Sequence, residues 1–238
     1  MKTRLGRLFW HLYGRFVWSK HEPPWREKQI EDIVYAIQGQ RMSSTDCVLD
    51  AGCGTGEHAL ALADAGFDVV GIDYAQGMLH HAKQKMPLAL EDQLLFYQMS
   101  LDEPLPFEDG SFEHVINISV LQATADPRFT LQELHRVLVD GGTLYLLHVP
   151  KPDYANWSLR EMITDRINHS EDMGLFSKGL IAAKSFAERM DPTRYWTYDE
   201  VMEMMEMAGF TMIEAKEEPV IIAHGRKTSY QQRQTQAE

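Results

Sequence analysis

The run Val48-Leu49-Asp50-Ala51-Gly52-Cys53-Gly54-Thr55-Gly56 spaces its glycines as G-x-G-x-G. Where a strand feeds a helix through glycines, a ligand can approach the backbone N–H groups closely, because no Cβ intrudes. A dinucleotide site calls for G-x-G-x-x-G, which seats a pyrophosphate on the helix N-terminus. The sixth position here is Glu57. A carboxylate at that point opposes a pyrophosphate but not a ligand without phosphate, so spacing and charge both argue against a nicotinamide dinucleotide. Asp73 follows Val69-Val70-Gly71-Ile72 and stands 21 residues after Gly52. An acid at the end of a second strand can accept hydrogen bonds from two ribose hydroxyls. Ser100-Leu101-Asp102 and Asn117-Ile118-Ser119 each close a later strand and are expected at the same carboxyl edge, beside the ligand crevice.

These residues need a scaffold that brings strand ends together, and the pattern supplies one. Short apolar strands are expected at 47–50, 68–72, 94–98, 114–118 and 143–148. Helices are expected between them at 57–65, stopped by Gly66, at 76–85, stopped before Pro87, and from Asp126-Pro127 to about Val139. Asp126 is the expected N-cap of the last, with Pro127 at its first position. Strands buried on both faces and separated by helices specify a parallel, doubly wound α/β sheet. After 150–197, which breaks the alternation with helical patches at 156–168 and 176–190, a helix is expected at 198–208. Val201, Met204, Met205 and Ala208 form its apolar side, so its methionines are expected to pack against the sheet. Strands at 210–215 and 220–224 and a frayed polar tail from Gly225 complete the pattern.

The chain has 238 residues and a formal net charge of −12. That suits one α/β domain with a modest insertion, and a nucleic-acid partner is not expected, because a polyanion is repelled at long range. The first 28 residues depart from the rest, with seven basic and two acidic side chains, leaving −17 for the remainder. Within them Leu5, Leu8, Phe9, Leu12, Phe16 and Val17 recur at helical spacing, so 1–20 reads as a basic amphipathic helix, followed by a second helix at 25–38. His11 and Arg15 interrupt the apolar run, which argues against a secretory segment, and no run is long enough to span a membrane. Two cysteines, Cys47 and Cys53, fit a reducing cytoplasm and are too few for zinc, so no metal is expected.

Taken together, these motifs resemble the class I S-adenosylmethionine-dependent methyltransferases, and most of all the small-molecule group that includes the ubiquinone/menaquinone C-methyltransferases. The resemblance covers about 48–148 and extends to the strand pair near 210–224. Leu49 to Gly56 is similar to the family's first motif, and Val70-Gly71-Ile72-Asp73 with Met78-Leu79 to its second. Arg136-Val137-Leu138 followed by Gly141-Gly142 resembles the segment that leads into the fifth strand. The family's sheet runs 3-2-1-4-5-7-6 with strand 7 antiparallel, and a helical cap is expected on it. The base N-methyltransferases carry Asn/Asp-Pro-Pro-Tyr/Phe after the fourth strand, where this chain reads Asn117-Ile118-Ser119-Val120.

The resemblance implies S-adenosyl-L-methionine as cofactor and S-adenosyl-L-homocysteine as product. It also implies a role for each matched position. Gly52, Cys53, Gly54, Thr55 and Gly56 would hold the methionine part, with Asp50 near its amino group. Asp73 would bind both ribose hydroxyls, and Tyr74 and Met78 would flank the adenine. Asp102 would face the adenine amino group, with Ser100 beside it and Leu101 over the ring. Asn117 and Ile118 would close the methionine side. Methyl transfer by direct displacement needs positioning, and a base only where the acceptor must lose a proton. His148 and Gln122 are the candidates in the right region. Residues 1–45 are expected as a lid and 150–195 as a helical cap. The core is expected at 46–149 and 196–225, with a tail at 226–238. Trp10, Trp18, Trp25 and Trp157 fall in the covering segments and point to an apolar or aromatic small-molecule acceptor. Two readings of 1–20 stay open: a lid, or a peripheral membrane contact. An inactive cofactor-binding or partner-binding pseudoenzyme is the alternative to turnover. A protein methyltransferase is a third reading, disfavoured by the two expected lids.

Overall fold

The computed structural model describes residues 25–148, 196–216 and 221–228, with residues 12, 178–180 and 182–183. The expected first helix and the cap at 150–195 fall outside these apart from those few positions. The described elements are helix α1 (Trp25–Gln38), strand β1 (Cys47–Ala51), α2 (Glu57–Asp64), β2 (Asp68–Asp73), α3 (Gln76–Lys85), β3 (Leu94–Gln98), β4 (Phe112–Ile118), α4 (Pro127–Val137), β5 (Leu138–His148), α5 (Tyr198–Ala208), β6 (Phe210–Lys216) and β7 (Ile221–Lys227). Seven strands form one sheet in the order β3-β2-β1-β4-β5-β7-β6. β1 to β5 pair in parallel, and β7 lies antiparallel to both β5 and β6, as the family resemblance implied.

Each face of the sheet carries its own apolar layer. On one, Leu131 and Leu134 of α4 and Val201 and Met205 of α5 pack with Leu49, Val115, Leu144 and Leu146. On the other, Ile33 and Ile37 of α1, Leu62 and Ala63 of α2, and Leu79 and Ala82 of α3 pack with Val48, Val69, Phe96 and Ile116. The methionines of α5 are core as expected for Met204 and Met205, while Met207 is exposed. α1 was expected within a lid. Its body is instead a layer of this second face, because Ile33 and Ile37 are fully buried there.

Several ends differ from expectation. α4 stops at Val137, and Leu138 already belongs to β5, where it pairs with Phe112 across an irregularity in the β4–β5 register. The helical spacing of Arg136, Val137 and Leu138 hides this. Leu138 is buried only by becoming strand, and Gly142 then sits too close to the Glu113 and Val139 carbonyls for any Cβ. The tail expected to fray from Gly225 is strand as far as Lys227. Its polar residues have specific partners, which composition cannot reveal. Lys227 Nζ donates to the carbonyls of Leu138 (2.7 Å) and Arg136 (3.4 Å), neutralising the C-terminal end of α4. Arg226 donates to Gln40 at 2.7 Å. Asp126 caps α4 as expected, accepting from the N–H groups of Arg128 and Phe129. Thr197 and Glu200 form a reciprocal capping box on α5. Among the described residues no helix is long and apolar enough to cross a membrane.

Burial pulls the imidazoles of His148 and His224 down to about 4, and that of His114 below its ordinary value. A histidine held neutral in the fold binds its proton more readily once unfolded. Its contribution to stability is therefore fully present above about pH 6.5 and falls as pH drops from there toward 4, by about 1.4 kcal/mol per pH unit per group. Urea midpoints measured from pH 7.5 to 5 are expected to decline below 6.5, less steeply in His224→Phe. A flat profile in the wild type would contradict this.

Candidate functional site

The carboxyl ends of β1, β2 and β4 converge on the glycine turn. Gly52, Gly54 and Gly56 have φ of 90°, 56° and 82°, the left-handed region that residues with a Cβ avoid. Two of the three also lack room. A Cβ on Gly52 would lie 2.4 Å from Val120, and one on Gly56 would lie 2.9 Å from Ala82 and from the Phe96 ring. A Cβ on Gly54 would meet nothing within 4 Å, so the middle of the turn is backbone facing open space. The turn is fastened to β2: the Ile72 carbonyl accepts from the N–H groups of Gly52 (2.8 Å) and Cys53 (2.9 Å).

Asp73 completes that attachment. One carboxylate oxygen accepts from Gly54 N–H at 3.0 Å and the other from Ala75 N–H at 2.7 Å. A carboxylate has about four lone-pair sites, so each oxygen keeps capacity for a further donor. Burial raises its pKa against the lowering effect of these bonds. Asp50 is 2% exposed, and its Oδ2 has no hydrogen-bond partner among the described residues. Burial, with the carboxylates of Asp73 and Glu57 nearby, pushes it up to about 8. A buried acid of this kind is paired by a cation or takes up a proton.

Glu57 does not face a ligand unaccompanied. Thr55, fully buried, donates its hydroxyl to the Glu57 carboxylate (2.6 Å), and Lys85 of α3 forms an ion pair with it. Burial would raise the Glu57 pKa, but the bonds from Lys85 and Thr55 outweigh it and hold the carboxyl below its usual range. Lys85 stands 28 residues away, and nothing in the local sequence announces the contact.

The remaining expected residues gather on the same edge. Cys53 and Met78 are buried, Met78 in the first turn of α3, and Tyr74 is half-buried with its carbonyl accepting from Gln98. Ser100 Oγ accepts from Asp102 N–H at 3.2 Å, Asp102 accepts from Ala125 N–H at 2.6 Å, and the Leu101 carbonyl accepts from Thr130. The loop after β3 is thus tied to the start of α4. Asn117, fully buried, donates to the Ala51 carbonyl at 2.9 Å, joining β4 to β1 just before the turn, and its Oδ1 has no partner. Ile118 ends β4 in the α1–α3 layer. Gln122 donates to the Ser119 carbonyl at 2.7 Å. His148 ends β5, fully buried against Trp196. Two participants were not expected: Val120, which fills the space over Gly52, and Trp196, which covers His148.

This geometry has close relatives. The profile of a family described as a methyltransferase domain matches residues 49–146. A demethylmenaquinone methyltransferase of Geobacillus kaustophilus is 31% identical over 200 residues, covering 81% of this chain and 79% of that protein. Another, of Renibacterium salmoninarum, is 34% identical over 131 residues, 55% of this chain and 50% of that protein, so the chain spans about half of that relative. The crystal structure of a SAM dependent methyltransferase from Aquifex aeolicus superposes with a TM-score of 0.61 at 17% identity, over 87% of this chain and 94% of the other, which supports the fold. With its sheet order, glycine turn and these relatives, the chain belongs to the class I S-adenosylmethionine-dependent methyltransferases and within them resembles the demethylmenaquinone methyltransferases.

Proposed function

We propose that the protein transfers a methyl group from S-adenosylmethionine to a small-molecule acceptor, releasing S-adenosylhomocysteine. The observation that carries this is the unpartnered, buried Oδ2 of Asp50 beside an open glycine backbone. Such an oxygen suits the ammonium of the cofactor's methionine part, and the turn's exposed backbone leaves room for it. Asp73 suits two ribose hydroxyls, since both its oxygens are already oriented by backbone N–H groups. Tyr74, Met78, Leu101 and Asp102 are assigned to the adenine, with Ser100 holding Asp102. Asn117 and Ile118 are assigned to the methionine side. When bound, the cofactor supplies an electrophilic methyl carbon on a sulfonium. The chain's task is then to position an acceptor in line and exclude water.

The relatives' names suggest a quinone-type acceptor. A quinone ring is poor in electrons, so a carbon nucleophile requires its reduced, dihydroxy form, and the displaced ring proton leaves to water. Residues 1–20 and 150–195 are assigned to covering that acceptor. A lipid-soluble acceptor also favours contact of the basic 1–20 stretch with an anionic membrane surface. Co-sedimentation with anionic liposomes, lost on removing 1–20, would support that contact, and unchanged co-sedimentation would leave the lid reading.

Calorimetric titration tests the cofactor site directly. Wild type is expected to bind S-adenosylmethionine and S-adenosylhomocysteine in the micromolar range, and Asp73→Ala at least about thirtyfold more weakly, the equivalent of about 2 kcal/mol for two charge-assisted bonds. Absence of binding to folded, ligand-free wild type would refute the assignment. Asp50 adds a pH signature. It is largely protonated in the free protein below about 8. Pairing with the ligand's ammonium lowers its pKa, so binding at pH 7 is expected to release a proton and to tighten as pH rises toward 8. Titration in buffers of different ionisation enthalpy measures that release. It should vanish in Asp50→Asn.

A further inference from the structure

His148 lies at the carboxyl edge of the sheet. It ends β5 on the α4–α5 side, 0% exposed, with its ring 5.3 Å from that of Trp196. The backbone N–H of Trp196 donates to Nε2 at 3.4 Å. A neutral imidazole has one donor and one acceptor nitrogen, so accepting at Nε2 places the ring proton on Nδ1. That Nδ1–H has no hydrogen-bond partner among the described residues. A buried donor left without an acceptor is uncommon and costly.

The neighbouring strand end shows the same incompleteness with the opposite polarity. Asn117 and Gln122 have their amide nitrogens committed to the carbonyls of Ala51 and Ser119. Their oxygens, Asn117 Oδ1 and Gln122 Oε1, are buried and lack donors. The Ser119 N–H donates to the Leu147 carbonyl at 2.8 Å, which holds this turn against the last residues of β5. At the carboxyl ends of β4 and β5, then, the His148 donor and the Gln122 acceptor are buried without partners among the described residues, beside the Asn117 oxygen assigned to the cofactor. A hydroxyl on an apolar ring both accepts and donates, and it satisfies such a set where a plain hydrocarbon would not.

We propose that His148 is an acceptor-positioning residue that donates from Nδ1–H to a ring oxygen of the methyl acceptor. This rests on the methyltransferase reading above. A histidine whose free nitrogen already carries the proton cannot remove one from the acceptor. The role is therefore donation, and the sequence-level candidacy of His148 as a base is set aside.

The test uses the full chain loaded with S-adenosylhomocysteine, and naphthalene-1,4-diol kept reduced with dithionite as the probe. Long-range 15N–1H correlation spectra at pH 7, assigned by comparison with His148→Asn, are expected to show His148 protonated at Nδ1 alone. Protonation at Nε2 or an imidazolium overturns the proposal. In calorimetry, His148→Leu is expected to weaken diol binding about tenfold, the worth of one hydrogen bond, while the S-adenosylhomocysteine affinity stays within about twofold. His148→Asn, whose amide N–H falls near the Nδ1 position, is expected to keep diol affinity within about threefold. Equal diol affinity in all three proteins, or no diol binding by wild type, overturns the proposal. Failure of every protein to bind S-adenosylhomocysteine refutes the methyltransferase reading itself and removes this inference with it. If His148→Leu does not fold, the spectra and His148→Asn still decide.

Discussion

The left-handed turn between β1 and α2 is the constraint on which the rest of the site depends. Three residues of five must take positive φ, and two of them lie where a side chain of Val120, Ala82 or Phe96 already occupies the Cβ position. This lets α2 leave the sheet at once and keeps α3 close behind it. It also brings backbone N–H groups of the turn within reach of β2. Asp73 and the Ile72 carbonyl then fasten Gly54, Gly52 and Cys53 in place. The same close packing recurs at Gly71, where a Cβ would lie 2.6 Å from the Phe96 ring and 3.1 Å from Cys53 Sγ. A substitution at Gly52 or Gly56 would therefore act twice, through φ and through displaced neighbours, whereas one at Gly54 would act through φ and one at Gly71 through displaced neighbours.

The contrast between the two edges of the sheet separates structure from chemistry. Toward the amino edge one buried polar network is satisfied. Asp46 accepts from the N–H groups of Met42 and Ser43 and from the Ser43 hydroxyl, and it meets His114 Nε2 at 3.1 Å. His114 Nδ1 meets the Thr143 hydroxyl at 2.8 Å. This network joins the approach to β1 with β4 and β5 and asks nothing of a ligand. At the carboxyl edge Asp50, Asn117, Gln122 and His148 each bury an atom without a partner. Unsatisfied groups are expensive in a fold, and these four lie at the edge where parallel sheets bind ligands.

Electrostatics at the turn are finely divided among three carboxylates. Glu57 is neutralised by Lys85 and Thr55, Asp73 is held by two backbone N–H groups, and Asp50 keeps a backbone bond from Ala59 while its Oδ2 has no partner among the described residues. The charge that seemed, in sequence, to repel a phosphate is thus tied to α3. Burial and the neighbouring carboxylates keep Asp50 protonated up to about 8, and only a cation brought beside it would favour its ionised form.

The sequence by itself determined the parallel, doubly wound sheet and its glycine turn, because these rest on local signals: glycines that tolerate positive φ, apolar strands of short length, and Asp126-Pro127 as a helix start; the order of the strands came from the family resemblance. The sequence also placed Asp50, Asp73, Ser100, Leu101, Asp102 and Asn117 on one edge, since each lies at or just beyond the C-terminal end of a strand. Only the tertiary structure decided matters that depend on groups far apart in the chain. The Leu138 switch from helix to strand needs Phe112 beside it, and the continuation of β7 to Lys227 needs the carbonyls at the end of α4. The ion pair of Glu57 needs Lys85, and the tautomer of His148 needs the N–H of Trp196, 48 residues later in the chain. In each case a polar group's meaning was set by the partner that folding brings to it, and no local pattern encodes that partner.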